Sequence, residues 1–477
     1  MGVPTYYPFI HNEWVKTYKS FKVKDPYTGD TLGKIYQADG DFLDMAVESA
    51  QKGFQTSRKL SGYDRYTYLM RIAQGIRERE QELAETISRE AGKPIRFARN
   101  EVMRAQLTFT WAAEEARRLN GEFLPLDVAP QTRGYYAITR RFPLGVILGI
   151  TPFNFPLNLV AHKVAPAIAS GNAILLKPAS QTPITAIKLA EIIREAELPP
   201  GMVNIIPTSS KLAEQLVRDG RIRKLTFTGS ANVGWYLKSV AGKKRVTLEL
   251  GGNAAAIVEP DVSLDEIIPR LVLGSFAYAG QICISVQRIY VQQEIFQEFM
   301  QKFVDEMTRS AVFGDPMNDK TMVGPMITTD AAKRAESWIR EAEKSGARVV
   351  VGGKRKKNIL EPTVLTNTAP DMRVVCEEIF APVVVIEPYQ EFDQALQMVN
   401  NSYYGLQAGV FTNNFEHIQK AYATLEVGGV IVNDYPTFRI DPMPYGGSKD
   451  SGLGREGLRY AIEEMTEIKL LAIKSNL

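Results

Sequence analysis

Thiols and imidazoles are scarce in this chain: 477 residues carry two cysteines, Cys283 and Cys376, and three histidines, His11, His162 and His417. A disulfide framework and a multi-cysteine metal site are thereby excluded, no metal is expected, and a reducing, cytoplasmic compartment fits. Charge of one sign is also lacking. Fifty-seven basic against 54 acidic residues leave a net +3 with no basic block able to track a phosphate backbone, so nucleic acid is not an expected partner. Long apolar runs are missing too: the most apolar region, Pro143 to Val164, is broken by Pro152, Asn154 and Pro156, well short of the ~20 residues a bilayer span requires. The N-terminus has no basic segment followed by an apolar one, Tyr6 stands where a myristoylation signal needs Ser or Thr, and Ser475-Asn476-Leu477 has Asn where a peroxisomal ending is basic. Neither export nor anchoring is expected. What remains is ordinary for a folded protein, 45% hydrophobic and 23% charged residues, over a length that suggests two or three subdomains.

From about Pro143, short β-rich runs alternate with helical stretches, the pattern of a parallel sheet wrapped by helices, so the fold class is α/β. Strands are expected at Gly145 to Ile150, Ala173 to Leu176, Val203 to Ile206, Lys224 to Thr228 and Val246 to Leu250. Between them, Thr182 to Ala196 has helical spacing of Ile184, Ile187, Leu189, Ile192 and Ile193. A second series follows near Gly251-Gly252, with strands at Arg288 to Val291, Val349 to Val351, Val383 to Ile386, Ala408 to Phe411 and Gly429 to Val432. Before both, Asp64 to Glu90 and Ile95 to Arg118 read as helices separated by Gly92-Lys93-Pro94. Gly134 to Phe142 and Glu467 to Lys474 fit neither series. They either pair as an extra sheet that docks on another subunit or are simple edge strands.

Four segments can carry chemistry. Cys283, between a helical stretch and a strand, is placed either as an exposed nucleophile or as a small buried hydrophobe between Ile282 and Ile284. No histidine lies near it in sequence, which turns attention to carboxylates as the base. Glu249 ends a strand between Leu248 and Leu250; buried there its proton affinity would rise toward that of a useful base, and the alternative is an ion pair at a strand terminus. Asn154 sits between Pro152 and Pro156, which stiffen the backbone around an amide that could donate to an oxyanion or serve only a turn. Phe227 to Gly234 runs from a strand through Gly229-Ser230 into a helix, a geometry that offers amides to phosphate, although the glycine spacing is not the usual dinucleotide fingerprint.

Taken in order, these segments resemble the aldehyde dehydrogenase superfamily nearly end to end. The matching motifs are Pro152-Phe153-Asn154-Phe155-Pro156, Lys177-Pro178-Ala179-Ser180, Phe227-Thr228-Gly229-Ser230, Leu248-Glu249-Leu250-Gly251-Gly252, Gly280-Gln281-Ile282-Cys283, Glu377-Glu378-Ile379-Phe380-Ala381-Pro382 and Pro444-Tyr445-Gly446-Gly447-Ser448-Lys449. The resemblance implies an aldehyde dehydrogenase-like fold: an NAD(P)-binding, Rossmann-like domain from residues 1–133 and 143–248, a catalytic α/β domain from 249–464, and a small β oligomerisation segment from 134–142 and 465–477, in a homodimer or homotetramer. It further implies that Cys283 adds to the aldehyde, that Asn154 and the Cys283 N–H hold the oxyanion, that hydride leaves for NAD or NADP, and that Glu249 activates the water that hydrolyses the thioester, with Lys163 near the proton route. Cofactor contacts are implied for Thr151, Pro152, Phe153, Lys177, Ser180, Gly229, Ser230, Gly234, Leu250, Glu378 and Phe380. Cys376 has no matching role and is expected to be structural.

Within that resemblance, Gly447 to Gly457 and Phe438-Arg439-Ile440-Asp441 look most like the lactaldehyde dehydrogenase-like branch, which points to a short, hydroxylated or anionic aldehyde. Ile282, where relatives that take phosphorylated aldehydes place Arg before the nucleophile, speaks against that class. Arg104 and Arg439 are expected to recognise an anion at the substrate entrance, the alternative being two solvated surface arginines. Ser180, where many NAD-preferring relatives carry a glutamate, leaves room for the NADP phosphate. Two rivals stand beside this reading. A coenzyme-A-acylating enzyme is disfavoured by Glu249, and a crystallin-like, non-catalytic binding protein on the same fold is disfavoured by Cys283.

Overall fold

The computed structural model describes residues 2–475, and every count below refers to these residues. Met1 and the last two residues of the expected oligomerisation segment, Asn476 and Leu477, lie outside them, and with those two most of the peroxisome-like ending.

The first α/β unit is an eight-stranded sheet. Its centre runs Arg245–Glu249, Ile222–Thr228, Val146–Ile150, Ala173–Lys177, Val203–Ile205, all parallel. In chain order that is 5-4-1-2-3, so the order reverses between the strands Val146–Ile150 and Ile222–Thr228. A crevice opens at the carboxyl ends of the strands at such a switch point, and the residues that follow them line it. Val146–Ile150 and Ala173–Lys177 are buried along their whole length, which is why they read as unbroken apolar runs. The helix Pro183–Glu195 starts on a proline, whose missing N–H costs nothing at a first helical position, and buries Ile184, Ile187, Leu189, Ile192 and Ile193. Short antiparallel strands, Phe9–Ile10 with Glu13–Trp14 and Gly452–Leu453, close the two sides of the sheet.

The second sheet has seven strands in the order Arg348–Val351, Thr363–Thr366, Val383–Tyr389, Arg288–Gln292, Ala255–Val258, Gln407–Phe411, Gly429–Val432, antiparallel only at the first pair. Ala255–Val258, an interior strand of this sheet, was not among the strands expected. The segments left over from both series do pair: Tyr135–Pro143 and Thr466–Lys474 form nine consecutive antiparallel partners, with Phe123–Pro125 on the other side.

Three other findings depart from the expected layout. The helix expected over Asp64 to Glu90 is two, Gly62–Glu78 and Glu80–Ala91, because Arg79 leaves helical dihedrals while its guanidinium reaches Glu82 at 2.8 Å and Glu191 at 2.5 Å. An unexpected helix, Asp41–Ser57, packs Leu43, Ala46, Val47 and Ala50 into the first unit. Residues 452–464, expected with the second unit, lie on the first: Gly452–Leu453 pairs with Arg245–Glu249, and the helix Leu458–Glu464 buries Leu458 and Ile462 in the core beneath that sheet. No helix is long and apolar enough to cross a membrane.

Candidate active site

The carboxyl ends of the first sheet face the chain entering the second. After Arg245–Glu249 the chain passes Gly251-Gly252 into Ala255–Val258, and Cys283 lies on the segment leading into Arg288–Gln292. Contact across this junction is close: a Cβ on Gly252 would stand 3.2 Å from the Cys283 carbonyl oxygen and 3.2 Å from Leu406.

Local backbone geometry presents the thiol. Tyr278 and Ala279 hold φ of 52° and 55°, a left-handed turn that non-glycine residues adopt only when their surroundings impose it. Here the Tyr278 hydroxyl donates to the Ala91 carbonyl at 3.1 Å, and the buried Gln281 side chain donates to Tyr278 and Pro325 carbonyls while accepting from Ile327 N–H at 2.9 Å. Cys283 then borders a cavity of about 260 Å³ whose wall includes Phe155, Ile282, Tyr445, Arg104 and Arg439. Burial pushes its thiol up to about 11, against the pull of the Tyr445 hydroxyl, which stands 2.9 Å from Sγ, and of Arg439.

Asn154 is buried and donates Nδ2–H to the Gln281 carbonyl at 2.9 Å, which ties it to the cysteine loop and leaves its second amide hydrogen uncommitted. The Cys283 N–H donates to no backbone acceptor among the described residues. Glu249 is buried with neither carboxylate oxygen hydrogen-bonded, and its proton affinity is well above the carboxylate norm through desolvation and the neighbouring Glu456 charge. Lys163 is fully buried on the helix Asn158–Ala169 and donates to Glu456 at 3.0 Å, Thr228 at 2.8 Å and Thr226 at 3.1 Å. That helix is fixed at its start by Glu101, which accepts from Leu157 and Asn158 N–H and pairs with buried Lys93. A carboxylate accepting from two of the orphan amides at a helix start is favourable both as acceptor and as charge.

The two arginines differ. Arg104 gives both arms of its guanidinium to Asp441, at 2.7 and 3.1 Å, so its charge is already neutralised. Asp441 also accepts from Asn158 and from His162 Nε2 at 2.8 Å; against the cost of burial, His162 and Arg104 hold it well below the usual carboxylate range. Arg439 is 8% exposed, stacks its guanidinium 3.7 Å from the Tyr445 ring centre, lies 3.5 Å from Glu456 and from His162, and leaves Nε buried without a partner. Neither is a free surface arginine.

Most of the expected cofactor residues follow the carboxyl ends of the first sheet's strands. Thr151, Pro152 and Phe153 follow the first central strand, with Thr151 Oγ1 buried and unpartnered. Lys177 ends the next strand; burial lowers it to about 8, and Ser180 three residues on is exposed. Ser230 begins the helix Ala231–Val240 without using its hydroxyl to cap it, and Gly234 lies so close under Leu250 that a Cβ would stand 2.4 Å from its side chain. Glu378 accepts from Gly252 N–H at 3.2 Å, is pushed up to about 7 by burial, and occupies the space a Cβ on Gly251 would fill. Phe380, at φ 50°, meets Phe153 edge to face at 6.0 Å. An orphaned hydroxyl, an uncapped helix start and a desolvated ammonium fit a phosphate-bearing dinucleotide. Cys376, by contrast, lies outside the cavity.

Tyr445, Glu456, Asp441 and His162 were assigned no role from the sequence. The only sequence signal for them is proximity: Asp441 two residues from Arg439, and Tyr445 and Glu456 inside motifs already noted.

The model of the aldehyde dehydrogenase family matches residues 14–471. The chain is 44% identical over 472 residues to a 3-sulfolactaldehyde dehydrogenase of Priestia aryabhattai, covering 99% of this chain and 98% of that one. It is 39% identical over 472 residues to a lactaldehyde dehydrogenase of Methanococcus aeolicus, covering 98% and 100%. Among solved structures, aldehyde dehydrogenase 21 of Physcomitrella patens in complex with the reaction product succinate superposes with a TM-score of 0.97 at 42% identity, covering 99% of each chain. The glyceraldehyde-3-phosphate dehydrogenase of Methanocaldococcus jannaschii complexed with NADP gives 0.91 at 38% identity, covering 95% and 99%.

Proposed function

The chain belongs to the aldehyde dehydrogenase family and is NAD(P)-dependent, and on that premise we propose that it oxidises short aldehydes carrying an anionic tail to the corresponding acids. The observation that carries the anionic tail is Arg439: a buried guanidinium with an unused N–H, on the wall of the cavity that holds Cys283. Buried charge is costly unless paired, and Glu456 at 3.5 Å is a loose partner, so an incoming sulfonate or carboxylate completes the site. A cavity of about 260 Å³ admits three- or four-carbon substrates. The names of the relatives agree in kind, a sulfonated aldehyde for one and a dicarboxylate product for another.

In the proposed mechanism the Cys283 thiolate adds to the aldehyde carbon, forming the C–S bond while the carbonyl pair moves to oxygen. Asn154 Nδ2–H and the Cys283 N–H donate to that oxyanion. When bound, NAD(P) would supply the acceptor for the hydride that leaves this carbon. Glu249 then takes a proton from the water that attacks the thioester, which its raised proton affinity suits, and passes it toward Glu456 and Lys163. Thr151, Lys177, Ser180, Gly229, Ser230 and Gly234 would hold the dinucleotide phosphates and adenosine ribose, and Glu378 and Phe380 the nicotinamide end. Lys177 and exposed Ser180 place no negative charge where the NADP phosphate would sit, so both cofactors are accepted.

The reading extends to assembly and place. The three-stranded sheet of Tyr135–Pro143 and Thr466–Lys474 leaves Ile138, Ile468, Leu470 and Leu471 exposed, and burying them against a second subunit supports a homodimer or homotetramer. A cytoplasmic location fits the two unpaired cysteines. The test is a panel of three- and four-carbon aldehydes with sulfonate, carboxylate, hydroxyl or methyl ends, followed by reduced-cofactor absorbance with NAD and NADP. The reading fails if the anionic members have no advantage in kcat/KM.

A further inference from the structure

The wall of the cavity next to Cys283 holds a group the mechanism above leaves unused. Among the described residues Cys283 Sγ makes one hydrogen bond, to Tyr445 Oη at 2.9 Å. We propose that Tyr445 is a catalytic residue whose hydroxyl donates to Cys283 Sγ in the thiolate form, with Arg439 stacked on its ring to fix its aim. The proposal rests on Cys283 being the nucleophile.

The tyrosine is placed firmly enough for that task. Its backbone is clamped to Glu456 by two reciprocal bonds, Tyr445 N–H to Glu456 carbonyl at 3.0 Å and Glu456 N–H to Tyr445 carbonyl at 2.6 Å. Its ring is 3% exposed and packs with Ile284 and Leu406, and the Arg439 guanidinium lies 3.7 Å from the ring centre. When Sγ ionises it can only accept, so the hydroxyl must be the donor. The charges facing the sulfur are Arg439, which favours the thiolate, and Glu378 and Glu249, which oppose it. With two carboxyl groups against one guanidinium, a neutral O–H aimed at sulfur supplies stabilisation that the ionic surroundings do not. The thiol proton passes to the Glu249 carboxylate and is released to solvent before the hydrolytic step, so that Glu249 is again a carboxylate when it takes the proton of the attacking water, and Tyr445 keeps its own. Once the C–S bond forms, the charge has moved to the substrate oxygen and the hydrogen bond to sulfur weakens. Tyr445 therefore acts on formation of the nucleophile, and its effect fades at high pH, where the thiolate forms without help.

Iodoacetamide alkylation of the full-length chain, resolved by peptide mass spectrometry over a range of pH, tests this with Cys376 as a reference thiol in the same molecule. In Tyr445→Phe the Cys283 profile should move up by about one to two pH units, and its alkylation at pH 7.5 should fall roughly ten- to a hundredfold, while Cys376 is unchanged. The deficit in kcat/KM should shrink as pH rises, which a merely structural defect would not do. Replacing Tyr445 by 3-fluorotyrosine, which keeps the ring, the hydroxyl and Arg439 but makes the O–H a stronger donor, should move the Cys283 profile down and serves if Tyr445→Phe does not fold. A Cys283 profile that coincides with wild type in the folded variants overturns the role of Tyr445. If Cys283→Ser turns over like wild type, it is the nucleophile assignment itself that falls.

Discussion

Replacing Arg439 by Met should erase most of the preference for anionic aldehydes. A unit charge about 4 Å from the guanidinium in surroundings of effective dielectric about 20 gains about 4 kcal/mol of Coulomb energy. The gain is not all realised, because Glu456 at 3.5 Å already shares the cation and the substrate anion must give up water. A charge-assisted hydrogen bond nets about 1.5–3 kcal/mol, so the ratio of kcat/KM between a sulfonated or carboxylated aldehyde and a neutral one of equal length should fall roughly ten- to 150-fold. The ratio is the quantity to measure. Arg439 also stacks on Tyr445 and neighbours His162, so both substrates will slow, and only the selectivity isolates the lost anion contact. Arg104→Met should change the same ratio by less than about threefold, because Asp441 already occupies that guanidinium and leaves little charge for a ligand. An unchanged ratio in Arg439→Met would refute anion recognition by this residue and leave tail selectivity to the shape of the cavity.

Three further outcomes follow from the same geometry. Cys283→Ala should abolish turnover while NADP still binds, as read by calorimetry, since the switch-point crevice is untouched; residual turnover near wild type would rule out the thioester route. Glu249→Gln should release one equivalent of reduced cofactor and then turn over slowly. Burial and Glu456 raise the proton affinity of Glu249, so wild-type deacylation should climb with pH as that carboxyl loses its proton, and this limb should flatten in the Gln variant. Unchanged steady-state turnover would return Glu249 to a structural role. Ser180→Glu should depress kcat/KM for NADP at least about tenfold more than for NAD, corresponding to about 1.4 kcal/mol of repulsion. Lys177, lowered by burial to about 8, is charged below that pH and loses its charge above it, so KM for NADP should rise through this window sooner than KM for NAD. Equal losses with both cofactors would place residue 180 away from the adenosine ribose.

Sequence pattern exposed those parts of the molecule whose physics is local. Val146–Ile150 and Ala173–Lys177 are buried on both faces, so their apolar runs are visible without knowing what covers them. Gly92, at φ 67°, ends Glu80–Ala91 as a glycine should, and the break before Ile95–Ala116 was readable. Ala255–Val258 was missed because Ala-Ala-Ile-Val is too short and too weak in β-branched residues to stand out beside Gly251-Gly252, although it is paired on both sides within its sheet. At the proposed site, the candidates Cys283, Glu249 and Asn154 were picked out by their motifs, and the structure brings them together. The surroundings that give them their properties were not, because Tyr445 meets Cys283 across 162 positions and His162 meets Asp441 across 279. Arg104 and Arg439 looked equivalent in sequence; only the bidentate pairing with Asp441 separates them.

The pairing of Gly452–Leu453 with Arg245–Glu249 has a consequence for biosynthesis. The five parallel strands from Val146 to Glu249 leave the ribosome together, but the strand that seals their outer side is encoded about 200 residues later, roughly 10–40 s at ordinary elongation rates. The long partner of Tyr135–Pro143 arrives later still. During that interval the nascent chain carries a sheet with open hydrogen-bonding edges, the condition under which strands recruit foreign partners. Arg245–Glu249, the strand that ends in Glu249, is among the last to be sheltered, so slow translation or premature termination downstream of Cys283 would expose this edge, and the strand most prone to mispairing on the ribosome is the one that carries the proposed base.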